Sequence, residues 1–281
     1  MNAGVLGYYK LMGGVASSAY ILDTYSGYDF AWMPFKLTTA QTTSLIVRRA
    51  SDDAELTIGF DSDDDLDTAA IGTHCGSSDG FIKTFISPNA NNAVQTNTSF
   101  QAKIYDGSTT TILTDGNGNA MPQFTSASSH FYTFDTELDQ PVGYGVCLTM
   151  RRTAGTGFRG LYGVKNTFNC MFFGIESTNS LLVEAPNGGK RYSAPALDTT
   201  EFYTQFQIVA TFADSTLRRN SVEIGSIGNF ERTRDPIVQN VGVVNNNYYE
   251  GGFGGMINFP SATETSLIAV ETYVNGKLNI F

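Results

Sequence analysis

Phe202-Tyr203-Thr204-Gln205-Phe206-Gln207-Ile208-Val209-Ala210-Thr211-Phe212 is the stretch on which the reading of the fold turns. Phe202, Thr204, Phe206, Ile208, Ala210 and Phe212 fall on one side of an extended chain, because successive side chains of a strand point to opposite faces. The run therefore predicts a strand with one buried face. Working outward, comparable runs rich in Val, Ile, Phe, Tyr and Thr recur at 44–48, 55–60, 81–86, 101–105, 145–150, 158–164, 169–175, 222–224 and 252–259. Clusters of Gly, Asn, Asp and Ser separate them, among them Asp115-Gly116-Asn117-Gly118 and Asn187-Gly188-Gly189, whose residues tolerate positive φ. That rhythm predicts an all-β sandwich of two antiparallel sheets. Helix punctuation is confined to the end of the chain. Ser261-Ala262-Thr263-Glu264 reads as a capping box, with Leu267, Ile268, Glu271 and Val274 at helical spacing before Gly276. A shorter helix is expected from Asp67 to His74. No internal repeat or low-complexity linker interrupts the pattern.

Composition bounds the function. The 281 residues carry 17 Lys+Arg against 27 Asp+Glu, a formal charge of −10, which argues against a nucleic-acid or anionic-membrane partner because phosphate surfaces need clustered cations. No apolar stretch approaches the eighteen residues of a membrane helix, so no membrane insertion is expected. The N-terminus has a Lys within its apolar stretch and a Gly-Gly break, a poor match to a signal peptide. Cys75, Cys147 and Cys170 are far apart with no Cys-x-x-Cys, which predicts buried thiols in place of a disulfide framework or zinc site.

A resemblance emerges on particular residues. Ile21 to Gly27, the run Leu45-Ile46-Val47-Arg48-Arg49-Ala50-Ser51-Asp52-Asp53-Ala54-Glu55-Leu56-Thr57-Ile58-Gly59-Phe60, and Leu66 to Ala70 are similar to the concanavalin A-like sandwich domain of many bacteriophage virion proteins, a relative of the arabinofuranosidase B catalytic domain. Gly80 to Phe85 followed by Gln101-Ala102-Lys103-Ile104, and the closing Glu250-Gly251-Gly252 to Ile257 with its helix through Tyr273-Val274-Asn275, keep that family's order. The resemblance implies a jelly-roll sandwich over 25–281 and a non-enzymatic virion structural protein. Such a protein is displayed at the particle surface on capsid, neck or tail, after synthesis in the host bacterial cytoplasm. Its expected partners are other virion proteins and copies of itself, with host-surface glycan as a further candidate. The alternative is a carbohydrate-active hydrolase of arabinofuranosidase type. The chain departs from these relatives in three ways: Phe85-Ile86-Ser87-Pro88-Asn89-Ala90-Asn91 replaces the Asp-Gln-Ser-Gly-Asn-Gly turn usual in the family, the enzyme's Asp-Leu-Glu-Asn-Gly nucleophile setting is missing, and its adjacent Cys-Cys pair is absent, with only the single Cys170.

A retaining glycosidase needs two carboxyls about 5 Å apart, one of them held protonated. Glu176 and Glu184 are the candidates, against a default of solvated loop acids. Asp61, Asp63 and Asp65 are candidate calcium ligands, since hard oxygen donors at alternate positions suit that ion, although the EF-hand register fails at Leu66 and Gly72. No other cofactor is expected. His74 and His130 match no ligand pattern and read as hydrogen-bonded structural residues. Arg48-Arg49, Arg151-Arg152 and Arg218-Arg219 read as local ion pairs or subunit contacts. Sugar rings stack on exposed aromatic faces, which makes Trp32, Tyr28, Tyr248, Tyr249 and Asn246 the candidate carbohydrate-binding residues, with loop packing as the preferred account of the same residues. The first 24 residues, apolar at Val5, Tyr8, Tyr9 and Leu11 but broken by glycines, read as an arm that docks on a neighbouring protein in an assembly.

Overall fold

The structure, a computed structural model, describes residues 20–140, 144–152, 158–165, 172–175, 180–184, 191–196, 204–209, 214–228, 234–237 and 239–279. One layer of the sandwich runs Phe30–Trp32, Gly251–Phe259, Gly145–Arg152, Thr204–Val209, Asp214–Arg219 and Val222–Gly228, each antiparallel to the next. The other centres on Arg159–Gly163. Phe172–Ile175, Ser180–Glu184 and Arg191–Ala196 follow on one side of it; Asn240–Val241, Tyr132–Phe134, Ala93–Val94, Gly80–Phe85, Leu45–Arg49 and Glu55–Ile58 follow on the other. Lys103–Asp106 and Gln123–Phe124 bridge the layers, so the pairing is continuous and the sandwich is rolled. Leu138–Gln140 and Arg234–Ile237 form a separate two-stranded sheet. The expected all-β architecture is present, and the predicted strands match within a few residues at each end.

Both layers feed one core. Val146, Leu148, Met150, Phe253 and Met256 from the first meet Leu161, Phe173, Tyr132, Phe85 and Val47 from the second in a single buried cluster. The opposite face of the first layer is covered as well. Ala31, Cys147, Ile257 and Phe259 pack under α3 (Glu264–Leu278) against Leu267, Val270, Val274 and Leu278. Every residue of Gly251–Phe259 is therefore buried. Four helix side chains buried at about 1.5–3 kcal/mol each give a gross contribution on the order of 10 kcal/mol to this docking. The helix lies so close that a Cβ on Gly145 would stand 2.6 Å from the Ala262 Cβ and 2.9 Å from Leu267 Cδ1.

The helix ends differ from expectation. The capping box is Thr263 with Ser266, not Ser261 with Glu264: Thr263 Oγ1 accepts the Ser266 N–H at 3.1 Å and Ser266 Oγ accepts the Thr263 N–H at 3.0 Å. The helix also runs through Gly276, because Leu278 in its last turn is buried in the cluster, and Asn279 ends it at φ 52°. The second expected helix is α2 (Thr68–Cys75), capped by Asp67 Oδ1 on the Ala70 N–H at 2.9 Å. Cys75 and Cys147 are buried; Cys170 lies outside the described residues.

The arm boundary moves. Residues 1–19, with Val5, Tyr8, Tyr9 and Leu11, lie outside the described residues. The last part of the expected arm belongs to the subunit: Leu22 in the short helix α1 (Ile21–Thr24) is 2% exposed among the residues under α3, and its N–H donates to Leu37 O at 3.1 Å. Tyr20 is tied down too. Its hydroxyl donates to Asp64 at 2.7 Å, and the Lys36 ammonium lies 5.0 Å from its ring centre.

Candidate functional site

The carbohydrate candidates do not form one platform. Trp32 is fully buried: its indole N–H donates to Ser44 Oγ at 3.1 Å, and its ring meets Phe85 edge-on at 4.6 Å and stacks on Phe253 at 5.8 Å. Tyr249 is equally buried, its hydroxyl donating to Arg151 O at 2.7 Å. Both are corrections to the sequence reading. A ring at zero exposure in a tight aromatic core has no free face for a sugar. Period two along the closing strands put Tyr248 and Tyr249 on opposite faces, and only the first looks outward. Tyr28 is half-buried, packed at the edge of the cluster under α3.

Tyr248 and Asn246 do come together, on a hairpin of Val243–Val244 and Asn247–Tyr248. The turn is Asn245-Asn246 with φ of 44° and 60°, the conformation of a two-residue primed turn, which asparagine tolerates. The hairpin is clamped to the neighbouring turn. Asn245 N–H donates to Val164 O at 2.9 Å and Asn246 N–H to Lys165 O. It presses on Arg159–Gly163, where Gly160 pairs with Tyr248 in a parallel bridge. A side chain at Gly160 would run into the Val244 backbone nitrogen and sit 2.8 Å from Asn247 O.

Three residues that the sequence reading missed complete this ledge. Phe131 lies 6.1 Å from Tyr248 and 5.8 Å from Phe100, and the Lys165 ammonium sits 4.1 Å above the Phe131 ring. The signal was present in His130-Phe131-Tyr132-Thr133-Phe134. Tyr132 and Phe134 belong to the main core, so Phe131, one residue before Tyr132, faces away from it. What the sequence does not show is that Phe100, Lys165 and Tyr248 converge there. Phe131 is 8% exposed and covered by Lys165, so it supports the ledge from below; the ring surface open to the C–H side of a sugar is that of the half-buried Tyr248 and Phe100, with the exposed Asn246 amide and the Lys165 cation at the border. Beneath it, His130 Nδ1 accepts the Thr125 N–H at 3.1 Å, which leaves the ring proton on Nε2. Burial pushes the His130 pKa below its usual value, against a weaker opposing pull from its bond with the Gln123 backbone. His130 is thus a hydrogen-bonded structural residue. So is His74, whose Nε2 meets Ala54 O at 3.1 Å.

The loop that replaces the family's acidic turn is an asparagine brace. Ser87 Oγ accepts the Ala31 N–H at 3.0 Å and donates to Asn89 Oδ1 at 2.7 Å, while Asn89 donates to Tyr28 O and Asp29 O and Asn91 to Asp29 O. These bonds fasten the entry of the Phe30–Trp32 strand.

Asp61, Asp63 and Asp65 line no cage. Asp61 Oδ1 accepts the N–H groups of Asp63 and Asp65 at 2.9 and 3.1 Å, which makes the acidic run a self-capped turn, and among the described residues no group of three or more His, Cys, Asp or Glu is placed to hold a metal. Burial, with the neighbouring carboxylates of Asp61, Asp63 and Asp64, raises the Asp65 pKa. A cleft of about 190 Å³ does open beside Asp61 and Asp65, floored by Leu66, Ala120 and Leu278. Glu176 lies outside the described residues, and Glu184 is placed only by its backbone, in the strand Ser180–Glu184 opposite Arg191. Arg48, Arg49 and Arg218 are used internally, on Asp53, Asp52 and Glu271. The Arg49 fork holds the Asp52 pKa down to about 2.

No protein-family model and no curated protein matches the sequence. Solved structures do. A GH54 α-L-arabinofuranosidase soaked with 4-nitrophenyl α-L-arabinofuranoside superposes with a TM-score of 0.68 at 12% identity, over 92% of this chain and 64% of that one. A GH54 α-L-arabinofuranosidase soaked with a cyclic sulfate inhibitor gives 0.68 at 13% with the same coverage. An arabinofuranosidase complexed with arabinofuranosyl-α-1,2-xylobiose gives 0.65 at 11%, again over 92% and 64%. The chain spans 64% of the length of these enzymes. At this identity the likeness establishes the fold: an all-β sandwich of the arabinofuranosidase kind closed by one C-terminal helix.

Proposed function

We propose that this chain is a non-hydrolytic glycan-facing sandwich, a structural component displayed at a bacteriophage particle surface as a homo-oligomer. The observation that carries the reading is a contrast. Nearly the whole chain adopts the arabinofuranosidase fold, yet its sequence lacks that enzyme's nucleophile setting and the family's acidic turn, the latter replaced by the brace of Ser87, Asn89 and Asn91. The word virion rests on the sequence resemblance over residues 21–105 and at the C-terminus. Glycan contact rests on the ledge of Tyr248, Phe131, Phe100 and Asn246. The test is a glycan array read with wild type and Tyr248→Ala. Stacking by one ring is worth about 1–1.5 kcal/mol, so the variant should bind roughly ten-fold more weakly while melting within 2 °C of wild type. Binding that survives Tyr248→Ala unchanged removes the ledge from the reading. Locating the chain by electron microscopy in an intact particle tests the virion assignment.

The second reading is hydrolysis of an arabinofuranoside, favoured by the same superposition. It requires turnover of 4-nitrophenyl α-L-arabinofuranoside that Glu176→Gln or Glu184→Gln abolishes. Our reading expects no turnover above the uncatalysed rate, because an oxocarbenium-like transition state without a positioned carboxyl pair has no partner.

A further inference from the structure

We propose that the outer face of α3 is the docking groove for the N-terminal segment of the same chain, with Val15 to Ala19 as the occupant. The groove is shallow and apolar, about 520 Å³, between Ile21 on one side and Ala269, Thr272, Tyr273, Gly276 and Lys277 of the helix on the other.

Three observations point to this occupant. The first is connectivity. Ile21 is both a wall of the groove and the second described residue of the chain, and it is fixed there by its neighbours, Tyr20 through Asp64 and Leu22 through its burial. The nineteen preceding residues therefore leave from the rim of the groove. The second is reach. Ala269 to Lys277 spans about 12 Å at 1.5 Å per helical residue, and five extended residues at about 3.3 Å each cover it, so Val15 to Ala19 suffice to cross the groove. The third is chemistry. Val15 to Ala19 carry no charged side chain, which suits an apolar groove. Small side chains at Ala16, Ser17, Ser18 and Ala19 suit close approach to Ala269 and Gly276, and Val15 supplies apolar surface. Because the segment is tethered at the rim, its effective concentration favours its own groove over that of another copy.

Hydrogen exchange by mass spectrometry on the full chain, in a fraction verified as monomeric by sedimentation, provides the test. Amides of residues 15–19 should exchange at least ten-fold slower than an unstructured peptide. Ala269→Lys and Thr272→Lys, both on the outer helix face, should each return them to the peptide rate while the strand Gly145–Arg152 exchanges as in wild type. Protection that survives both substitutions overturns the proposal, as does its absence in wild type. Protection that appears only as the chain self-associates also overturns it and identifies a second copy as the partner.

Discussion

Replacing Gly160 with alanine perturbs the aromatic ledge without touching any ring on it. The new Cβ would lie 2.5 Å from the Val244 Cβ and 2.8 Å from Asn247 O, in addition to its collision with the Val244 nitrogen. These are backbone or β-carbon atoms, so no rotamer change relieves the overlap and the hairpin must move as a unit. Moving it releases Val244, fully buried against Phe158 and Val164, at about 1.5–3 kcal/mol. It also strains the bonds from Asn245 and Asn246 to Val164 and Lys165, at about 0.5–1.5 kcal/mol each. The sum is on the order of 3–5 kcal/mol, larger than the 1–3 kcal/mol of ordinary overpacking. We expect the local opening free energy of the hairpin to fall by about 3 kcal/mol, which raises amide exchange at 243–249 roughly a hundred-fold, and the melting temperature to fall by about 6 °C. Glycan binding should fall with it. Val244→Ala provides the control, since it trims the contact without forcing the strands apart and should cost about 1–2 kcal/mol with the ledge intact. Exchange at 243–249 within three-fold of wild type in Gly160→Ala, with an unchanged melting temperature, would refute the reasoning.

Three further outcomes are expected. Trp32→Ala should cost about 3–5 kcal/mol in denaturant unfolding, because the ring is wholly buried between Phe85 and Phe253 and its N–H leaves Ser44 without a partner; a loss below 1 kcal/mol would mean that the ring is not part of the core. Glu271→Ala should cost about 3 kcal/mol by thermal melting, since it strands the Arg218 guanidinium, 3.0 Å away, and the Ser221 N–H, 2.7 Å away, while pairing it with Arg218→Met should recover much of that loss. The depressed His130 pKa means that the unfolded chain binds the proton more readily, so its contribution is complete above the ordinary value of 6.5 and is lost as pH falls from there toward the folded-state pKa. A His130→Gln variant should show a shallower loss of stability over that range than wild type.

Much of the architecture is legible in the chain itself. Period-two runs, turn residues at Asp115 to Gly118 and the polar start of the last helix are local signals, and each acts over fewer than ten residues, which is why strands and helices were readable to within a few positions. The −10 charge and the departures from the arabinofuranosidase motifs are likewise properties of the linear sequence. Tertiary structure decided which candidates face solvent. Trp32 and Tyr249 look like sugar platforms in a string of letters, and only the packing of Phe85, Phe253 and Arg151 around them turns them inward. The helix continuing past Gly276 and the assignment of Leu22 to the subunit follow from burial under α3, a contact between residues some 250 positions apart, whereas the shift of the capping box to Thr263 and Ser266 is a local choice between two overlapping signals. The ledge is of the same kind. Phe100, Phe131, Lys165 and Tyr248 carry no common motif, and they meet because the strands Tyr132–Phe134, Arg159–Gly163 and Asn240–Val241 pair side by side. Local preference selects elements, but which of their faces meets water is fixed only when long-range pairing closes the core.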